Sequence, residues 1–446
     1  MQFTEQSETN LLKEYFIKKN GEFIMKKKTA ISIGYGMRSL AYSRYAVEHP
    51  DEFEIVAVAE PVDNKREYAK ELHKLANERV FSDWRQIAEL PKMADIAIIG
   101  TQDNMHYEPA IAFIEKGYNL LLEKPMAPTP EECKNITKAA EKAGVHVIVC
   151  HVLRFTQFWL KIKDIVDNGD IGEIISIIHM ENVGNRHQSH SYVRGNWRNS
   201  KESSPMILAK SCHDTDIVQW LIGKKCKKVQ SFGSISYFNA EHRPKGAPDY
   251  CIQGCPHSDK CFYNAIKLYY DDKDNDWFRG VAAKKVAPTD EEVKAAITTG
   301  PYGRCVFACD NDVVDHQVVN MEFEDGATVS FTMNAFNEGG RHIRIFGTCG
   351  ELCGDMEKGT IDVFSFSTRQ HIIYNLKQIC GDITGGHGGG DSGIVADMLR
   401  FVRGEGQSKS ICDIRTSYLN HLIAFAAEKS RLTGTVIDMK EYEYML

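Results

Sequence analysis

No run of the 446-residue chain is long and apolar enough to read as a membrane span. Apolar runs such as 95–100 and 118–122 have the length of strands, whereas a spanning helix needs about 20 residues. Positive charge is in short supply too. Lysine and arginine number 54 against 61 aspartates and glutamates, a net charge of −7, so nothing draws the chain to nucleic acid or to an anionic membrane. Residues 1–27 have neither the apolar core nor the small-residue cleavage site of a secretory signal. Met25 followed by Lys26, Lys27 and Lys28 resembles a second start, and 1–27 are read as an N-terminal extension. Together these absences predict a cytoplasmic protein. Repeats and low-complexity tracts are missing as well. Cysteine, in contrast, is abundant, with 13 residues. Without a secretory signal these read as reduced thiols or metal ligands rather than a disulfide framework.

What is present points to two domains, because 446 residues exceed one ordinary core. From residue 29 to about 150, short apolar strands (29–34, 54–60, 95–100, 118–122, 145–150) alternate with helical stretches. That rhythm predicts βαβ units and a parallel, doubly wound sheet over 28–151. The remainder, 152–446, reads differently. Val319, Met321 and Phe323 alternate with polar residues, as do Val329, Phe331 and Met333, on either side of Asp325-Gly326. Period-two alternation across an Asp-Gly turn predicts a hairpin, and with strands at 172–182 and 227–238 a mostly antiparallel α/β domain. Its polar sheet face is either solvated or an association surface. Residues 239–312, rich in Pro, Gly, Cys and charge, read as an insertion, and two helices (392–403 and 416–431) close the fold.

After the first strand the chain runs Gly34-Tyr35-Gly36-Met37-Arg38-Ser39. Glycines there allow a tight turn and close approach of backbone to a pyrophosphate at the following helix N-terminus. Glu60 ends the second strand, where an acid can bond both ribose hydroxyls and repel a 2′-phosphate, which favours NAD over NADP. Thr101-Gln102-Asp103-Asn104-Met105-His106 and Glu123-Lys124-Pro125 follow two further strands at their carboxyl ends, the edge at which open α/β sheets bind ligands. The candidate cofactor residues are therefore Gly34, Gly36, Met37, Arg38, Glu60, Thr101, Asp103, His106, Glu123 and Lys124.

With these residues in place the sequence resembles the glucose–fructose oxidoreductase / inositol dehydrogenase / MocA (Gfo/Idh/MocA) family. Cys212-His213-Asp214-Thr215-Asp216 is similar to the family's H-x-x-D segment. The resemblance implies a Rossmann domain, an α/β domain with a large open-faced sheet, and bound NAD(P). It also implies that Lys124 lies beside the nicotinamide, that His213 is a general base, and that open sheets meet face to face in homodimers or homotetramers. A histidine suits the role because its unperturbed pKa lies near operating pH. Inositol dehydrogenase-like members carry an aspartate four residues before that histidine, where this chain has Ala209, with Lys210 beside it. Lys210 is thus a further catalytic candidate.

Tyr192, Arg194, Trp197 and Arg198, within the 191–198 stretch, combine hydrogen-bonding groups with aromatic planes. With Arg154 and Asp391 they are the candidate substrate contacts. His387, in a Gly-rich loop similar to one in the family's NAD-dependent glycosidases, is a fourth catalytic candidate. In the insertion, Cys251, Cys255, Cys261, Cys305 and Cys309 include two C-x3-C spacings and predict a structural zinc held by thiolates. A [4Fe–4S] cluster ranks below zinc, since hydride chemistry needs no one-electron carrier. Two activities remain open: an NAD-dependent dehydrogenase of a sugar or cyclitol, and a redox-neutral NAD-dependent glycosidase or lyase that oxidises a ring hydroxyl transiently. An intact Lys124 and His213 argue against a non-catalytic sensor.

Overall fold

The computed structural model describes residues 16–19, 22–380 and 389–446. Within the extension, β1 (Phe16–Lys19) and β2 (Glu22–Met25) pair as an antiparallel hairpin. The chain then forms two compact units. The first comprises residues 1–123, 135–155 and 385–414, and the second residues 124–134, 156–384 and 415–446. Among the described residues, no helix is long and apolar enough to cross a membrane.

In the first unit, β3 (Lys28–Ile33), β4 (Phe53–Ala59), β5 (Val80–Phe81), β6 (Ile96–Ile99), β7 (Asn119–Leu122) and β8 (Val147–Val149) make a parallel sheet ordered β5-β4-β3-β6-β7-β8. Four-residue apolar strands such as Ile96–Ile99, buried at every position, are what a sheet covered on both faces requires. The strand order reverses between β3 and β6, which places the ligand crevice at their carboxyl ends. The division into 28–151 and 152–446 needs one correction. The helix Gly390–Val402, expected in the second domain, belongs to the first unit. Its Ile394, Val395, Met398 and Leu399 join Ala30, Tyr42, Phe53 and Ile98 in one buried cluster, and that shared core overrides its late position in the chain.

The second unit is built on a nine-stranded sheet. Its strands are β9 (Ile174–Asn182), β10 (Cys226–Ser234), β11 (His316–Phe323), β12 (Thr328–Asn334), β13 (Gly340–Gly347), β14 (Gly350–Asp355), β15 (Thr360–Ser365), β16 (His371–Asn375) and β17 (Ile437–Asp438). They lie in the order β16-β15-β14-β13-β9-β12-β11-β10-β17, antiparallel except for the β9–β12 pair. The Asp-Gly hairpin forms as the alternation predicts, with Val319 opposite Phe331 and Met321 opposite Val329. Gly326 turns at φ +88°, a conformation that costs glycine nothing, and the Ala327 N–H donates to Asp325 Oδ1 at 3.1 Å. Ile177, Val319, Met321, Val329, Phe331 and Met333 line the buried face. The helix Cys212–Ile222 is buried along nearly its whole length, and Asn420 of the helix Ile414–Thr433 donates to Asp216.

The insertion, for all its Pro, Gly, Cys and charge, has apolar residues enough to pack. Leu268, Tyr269, Phe278, Val293, Ile297 and Tyr302 form its own core around the helices Asp276–Ala283 and Asp290–Thr299. The π-helical segment Gln188–Arg194 feeds His190 into this core. His190 stacks on Phe278 with ring centroids 4.1 Å apart and meets the Tyr269 hydroxyl at 3.0 Å. Burial, reinforced by Arg194, pulls its pKa down to about 3. The folded ring thus stays neutral over a range in which the unfolded chain takes up a proton. Its contribution to stability is complete above about pH 6.5 and is lost as pH falls toward 3, at roughly 1.4 kcal/mol per unit. Urea unfolding should therefore show a lower midpoint at pH 5 than at pH 7, and His190→Gln should flatten that fall while lowering stability at pH 7. An unchanged slope would assign the loss to other groups.

Candidate functional site

In the first unit the glycine loop is explained by contacts on each side of it. Gly34 has φ +78°, and a Cβ there would lie 2.8 Å from the Gly100 carbonyl oxygen. A Cβ on Gly36 would meet no protein atom within 4 Å, so that position leaves space beside the backbone. Gly36 begins the helix Met37–Glu48 with no side-chain cap, which leaves first-turn N–H groups available to an anion. Ser39 occupies the third-glycine position because Gly100 faces it: a Cβ on Gly100 would sit 2.1 Å from Ser39 Oγ.

Glu60 is 5% exposed. Its Oε2 accepts from the Tyr35 N–H at 2.6 Å and its Oε1 from the Val62 N–H at 2.9 Å. One carboxylate thus fixes the glycine loop to the end of β4 and keeps acceptor capacity for ribose hydroxyls. The Thr101–His106 stretch closes on itself: Thr101 Oγ1 donates to the Met105 carbonyl at 3.0 Å, and His106 Nε2 lies 3.2 Å from the Thr101 carbonyl. Asp103 and His106 are buried. Turn, uncapped helix and strand-end acid together fit a dinucleotide.

Two side chains near this loop are used differently from expectation. Arg38 does not turn to a phosphate. Its Nε donates to Glu123 Oε1 at 2.9 Å, and its Nη1 and Nη2 clasp Asp391 at 3.0 and 2.6 Å. Tyr42 joins through its hydroxyl, which also donates to Glu123. Asp391, expected to touch substrate, is thereby the carboxylate half of a fork-to-fork ion pair. Arg154 is buried in the turn Val152–Phe155, where its carbonyl accepts from Ser410 Oγ at 3.0 Å.

The second unit gathers a buried chain of charges. Lys210 Nζ lies 3.2 Å from Glu181 Oε1, and Glu181 Oε2 lies 2.6 Å from Arg341 Nη2. Arg341 Nε donates to Asp214 Oδ1 at 2.8 Å, and the same oxygen lies 2.8 Å from His179 Nε2. Sheet register builds this chain, since Arg341 on β13 stands opposite Glu181 on β9, with His179 two residues earlier on the same buried face. Burial would raise the Asp214 carboxyl, but Arg341 and His179 hold it down at about 2. Burial pulls Lys210 below the ordinary lysine range and Arg341 adds to that, while Glu181 and Asp214 oppose it. Lys124 Nζ donates to the Ala209 carbonyl at 2.8 Å, so the backbone of the aspartate-for-alanine position anchors the lysine. His213 stands in the first turn of its helix, 7% exposed.

His187 was not among the candidates. Burial and the nearby charges of Lys210, Arg341 and Lys124 push its pKa well below 6.5, so it is a neutral imidazole amid cations. Tyr192 and Trp277 flank it at 5.7 and 4.9 Å, and Trp197 lies 6.0 Å from Tyr192. Polar residues at buried positions of a strand otherwise apolar on that face, His179 and Glu181, were the legible signal for this network. Nothing local marked His187 or Arg341.

Other candidates lie elsewhere. Arg194, a candidate substrate contact, is buried, its Nε donating to the Arg304 carbonyl at 2.7 Å and its Nη2 to the Tyr263 carbonyl at 2.6 Å. Arg198 pairs with Asp310 at 3.0 and 3.1 Å, which commits it to the insertion. His387 lies outside the described residues. The five insertion cysteines carry no disulfide, and among the described residues they form no group of three or more sulfurs all within 4.8 Å. A single tetrahedral zinc, with Zn–S bonds of about 2.3 Å, brings its thiolates to roughly 4 Å from one another. The arrangement therefore does not fit the structural zinc predicted from spacing.

A parallel sheet with a glycine turn at its switch point, followed by an α/β unit on a large mixed sheet, defines the class of NAD-binding Rossmann oxidoreductases. The chain belongs to the Gfo/Idh/MocA family: residues 28–151 match its NAD-binding Rossmann fold and residues 163–375 its C-terminal alpha/beta domain. A Bacillus subtilis (strain 168) protein, YteT, is 24% identical over 322 residues, which cover 68% of this chain and 72% of YteT. The 2,7-anhydro-N-acetylneuraminate hydratase of Escherichia coli (strain K12) is 30% identical over 142 residues, 32% of this chain and 37% of the hydratase. Levoglucosan dehydrogenase, solved with NADH and levoglucosan, superposes with a TM-score of 0.68 at 20% identity, over 93% of this chain and all of that one. At that identity the likeness speaks for the fold.

The Arg38 cluster yields a stability test. Asp391→Ala leaves a largely buried guanidinium short of one partner, and loss of about 3 kcal/mol is expected. Chemical unfolding measures it. Unchanged stability with weakened substrate binding would restore Asp391 to the substrate.

Proposed function

We propose that this chain is an NAD-dependent oxidoreductase that removes hydride from a secondary hydroxyl of a sugar, glycoside or cyclitol. The observation that carries the reading is Lys210, half-buried, lowered in pKa and balanced between Glu181 and Arg341, beside an imidazole with aromatic neighbours. Bound NAD supplies the hydride acceptor. Glu60 favours NAD over NADP by repelling a 2′-phosphate. Lys124, tied to the Ala209 carbonyl, orients the hydroxyl, and Lys210 or His213 takes the hydroxyl proton. Tyr192, Trp197 and Trp277 offer planes against which the apolar face of a ring stacks, while His187 accepts or donates a hydrogen bond without adding charge. The protein works in the cytoplasm on this reading.

A second reading is a redox-neutral lyase or hydratase, in which oxidation of one hydroxyl is transient. Alanine at position 209 favours it, because the aspartate that would assist His213 as a dehydrogenase base is missing, and so does the similarity to a hydratase over 142 residues. The readings separate by net NADH release. For either, Lys124→Ala, Lys210→Met and His213→Ala should each lower turnover about 10²–10⁴-fold while NAD affinity by calorimetry stays near wild type. Turnover is read on a panel of sugars, glycosides and cyclitols. Should Lys210→Met stay fully active, His213 becomes the base.

The open sheet face supports a homo-oligomer. Phe232, Val318, Thr332, Met180 and His342 stand in one cross-strand row, and Gln230, Asn320, Ser330, Ile178 and Arg344 in the next. Phe232, Ile178 and Met180 are exposed there, and covering such a face buries a standard interface of about 1,600 Å². Light scattering at micromolar protein in moderate salt should give a dimer or tetramer. A monodisperse 50.4 kDa species would instead leave the face to solvent.

A further inference from the structure

We propose that Cys251, Cys255, Cys261 and Cys305 are the four ligands of a [4Fe–4S] cluster set in the insertion. These four thiols, and not Cys309, line one cavity of about 240 Å³ together with Arg194, Tyr237 and Phe307. Cys309 turns away, its thiol donating to the Cys305 carbonyl at 3.3 Å. The backbone fixes the arrangement. Tyr250 and Arg304 pair in an antiparallel bridge, and the Cys305 N–H donates to the Asp249 carbonyl at 2.7 Å, which ties the 305 segment to the 251 segment. Turns with Ser258 N–H on the Cys255 carbonyl (3.2 Å) and Cys261 N–H on the His257 carbonyl (3.0 Å) carry the other two.

Two observations select the occupant. The first is spacing. Four thiols converge on one cavity, yet no three of the insertion's sulfurs lie within 4.8 Å of one another. In a cubane each thiolate bonds a different iron, so the sulfurs stand farther apart than around a single ion. The second is charge. Arg194 is 1% exposed and, among the described residues, no carboxylate pairs with it; it meets two backbone carbonyls and, at 3.9 Å, Cys251 Sγ. A buried, unpaired guanidinium is strongly unfavourable. The ionisable groups nearest it are Tyr269 and the thiols of Cys251, Cys309 and Cys305, and four cluster thiolates supply the missing negative charge. N–H donation from Arg194 to a ligand sulfur also stabilises a thiolate-bound cluster. The cluster holds together three segments of an insertion lacking any sheet of its own, a structural role that leaves hydride transfer untouched.

The test is iron and acid-labile sulfide analysis of the full-length protein purified without air, with visible absorption and electron paramagnetic resonance after reduction. About four irons and four sulfides per chain are expected. Cys251→Ser, Cys255→Ser, Cys261→Ser and Cys305→Ser should each lose most of the iron, while Cys309→Ser keeps it. NAD affinity serves as the check that each variant has folded. One zinc per chain without sulfide would overturn the cluster in favour of a single ion. All five thiols labelling freely in metal-free native protein would overturn the site, and loss of iron in Cys309→Ser equal to that in Cys305→Ser would overturn this ligand set.

Discussion

Arg341 is the side chain on which the second unit's polar interior depends. It reaches two buried carboxylates, Glu181 at 2.6 Å and Asp214 at 2.8 Å. Through them it touches Lys210 on one side and His179 on the other. Charges buried this deeply are tolerated only when paired with good geometry, so the five groups stand or fall together. The sheet register that places Arg341 opposite Glu181 is therefore also what sets the electrostatic surroundings of Lys210. Charge balance here is an internal property of the sheet and the helix beneath it, and a ligand need not complete it.

The first unit repeats the device with different members. Arg38 joins Glu123, Tyr42 and Asp391, which fastens the helix after the glycine loop to the end of β7 and to a helix that returns from residue 390 onward. The loop is thus held at its rear by charge and at its front by Glu60, whose carboxylate binds the Tyr35 N–H. In both units an arginine organises the scaffold, and smaller groups are left to meet ligands. A third arginine, Arg194, packs against the insertion, and its partners are two carbonyls and the Cys251 thiol rather than carboxylates. That difference in partner is why a cluster of thiolates is the natural complement to its charge.

What could be read in the sequence follows the distance over which each signal acts. The alternation of strands and helices, the glycine loop, Glu60 and the Asp325-Gly326 hairpin are local patterns, and each folds as its pattern requires. The ion pair of Asp391 could not be read, because its partner lies 353 residues away. The same holds for Arg198 and Arg194, whose partners stand 112 and 110 residues on. The charge chain is set by pairing between β9 and β13, 160 residues apart at Glu181 and Arg341, which no window of sequence contains. His179 and Glu181 could have been flagged, as polar residues alternating on a buried strand face. Cysteine spacing singled out the thiols of the insertion, but how far apart the sulfurs stand is set by the fold and not by spacing in the sequence.

Of the two proton acceptors proposed, Lys210 is the one whose role would depend on the Arg341–Glu181 pair, and that dependence is the central point to test. A lysine must be neutral to accept a proton, so the rate rises with pH through its pKa, and Glu181 raises that pKa by stabilising the ammonium form. The decisive measurement is the pH dependence of single-turnover reduction of bound NAD, compared between wild type and Glu181→Gln with whichever polyol the wild type oxidises. A half-point displaced to lower pH in Glu181→Gln is the expected result. A half-point that stays in place, or moves upward, would contradict the assignment of Lys210.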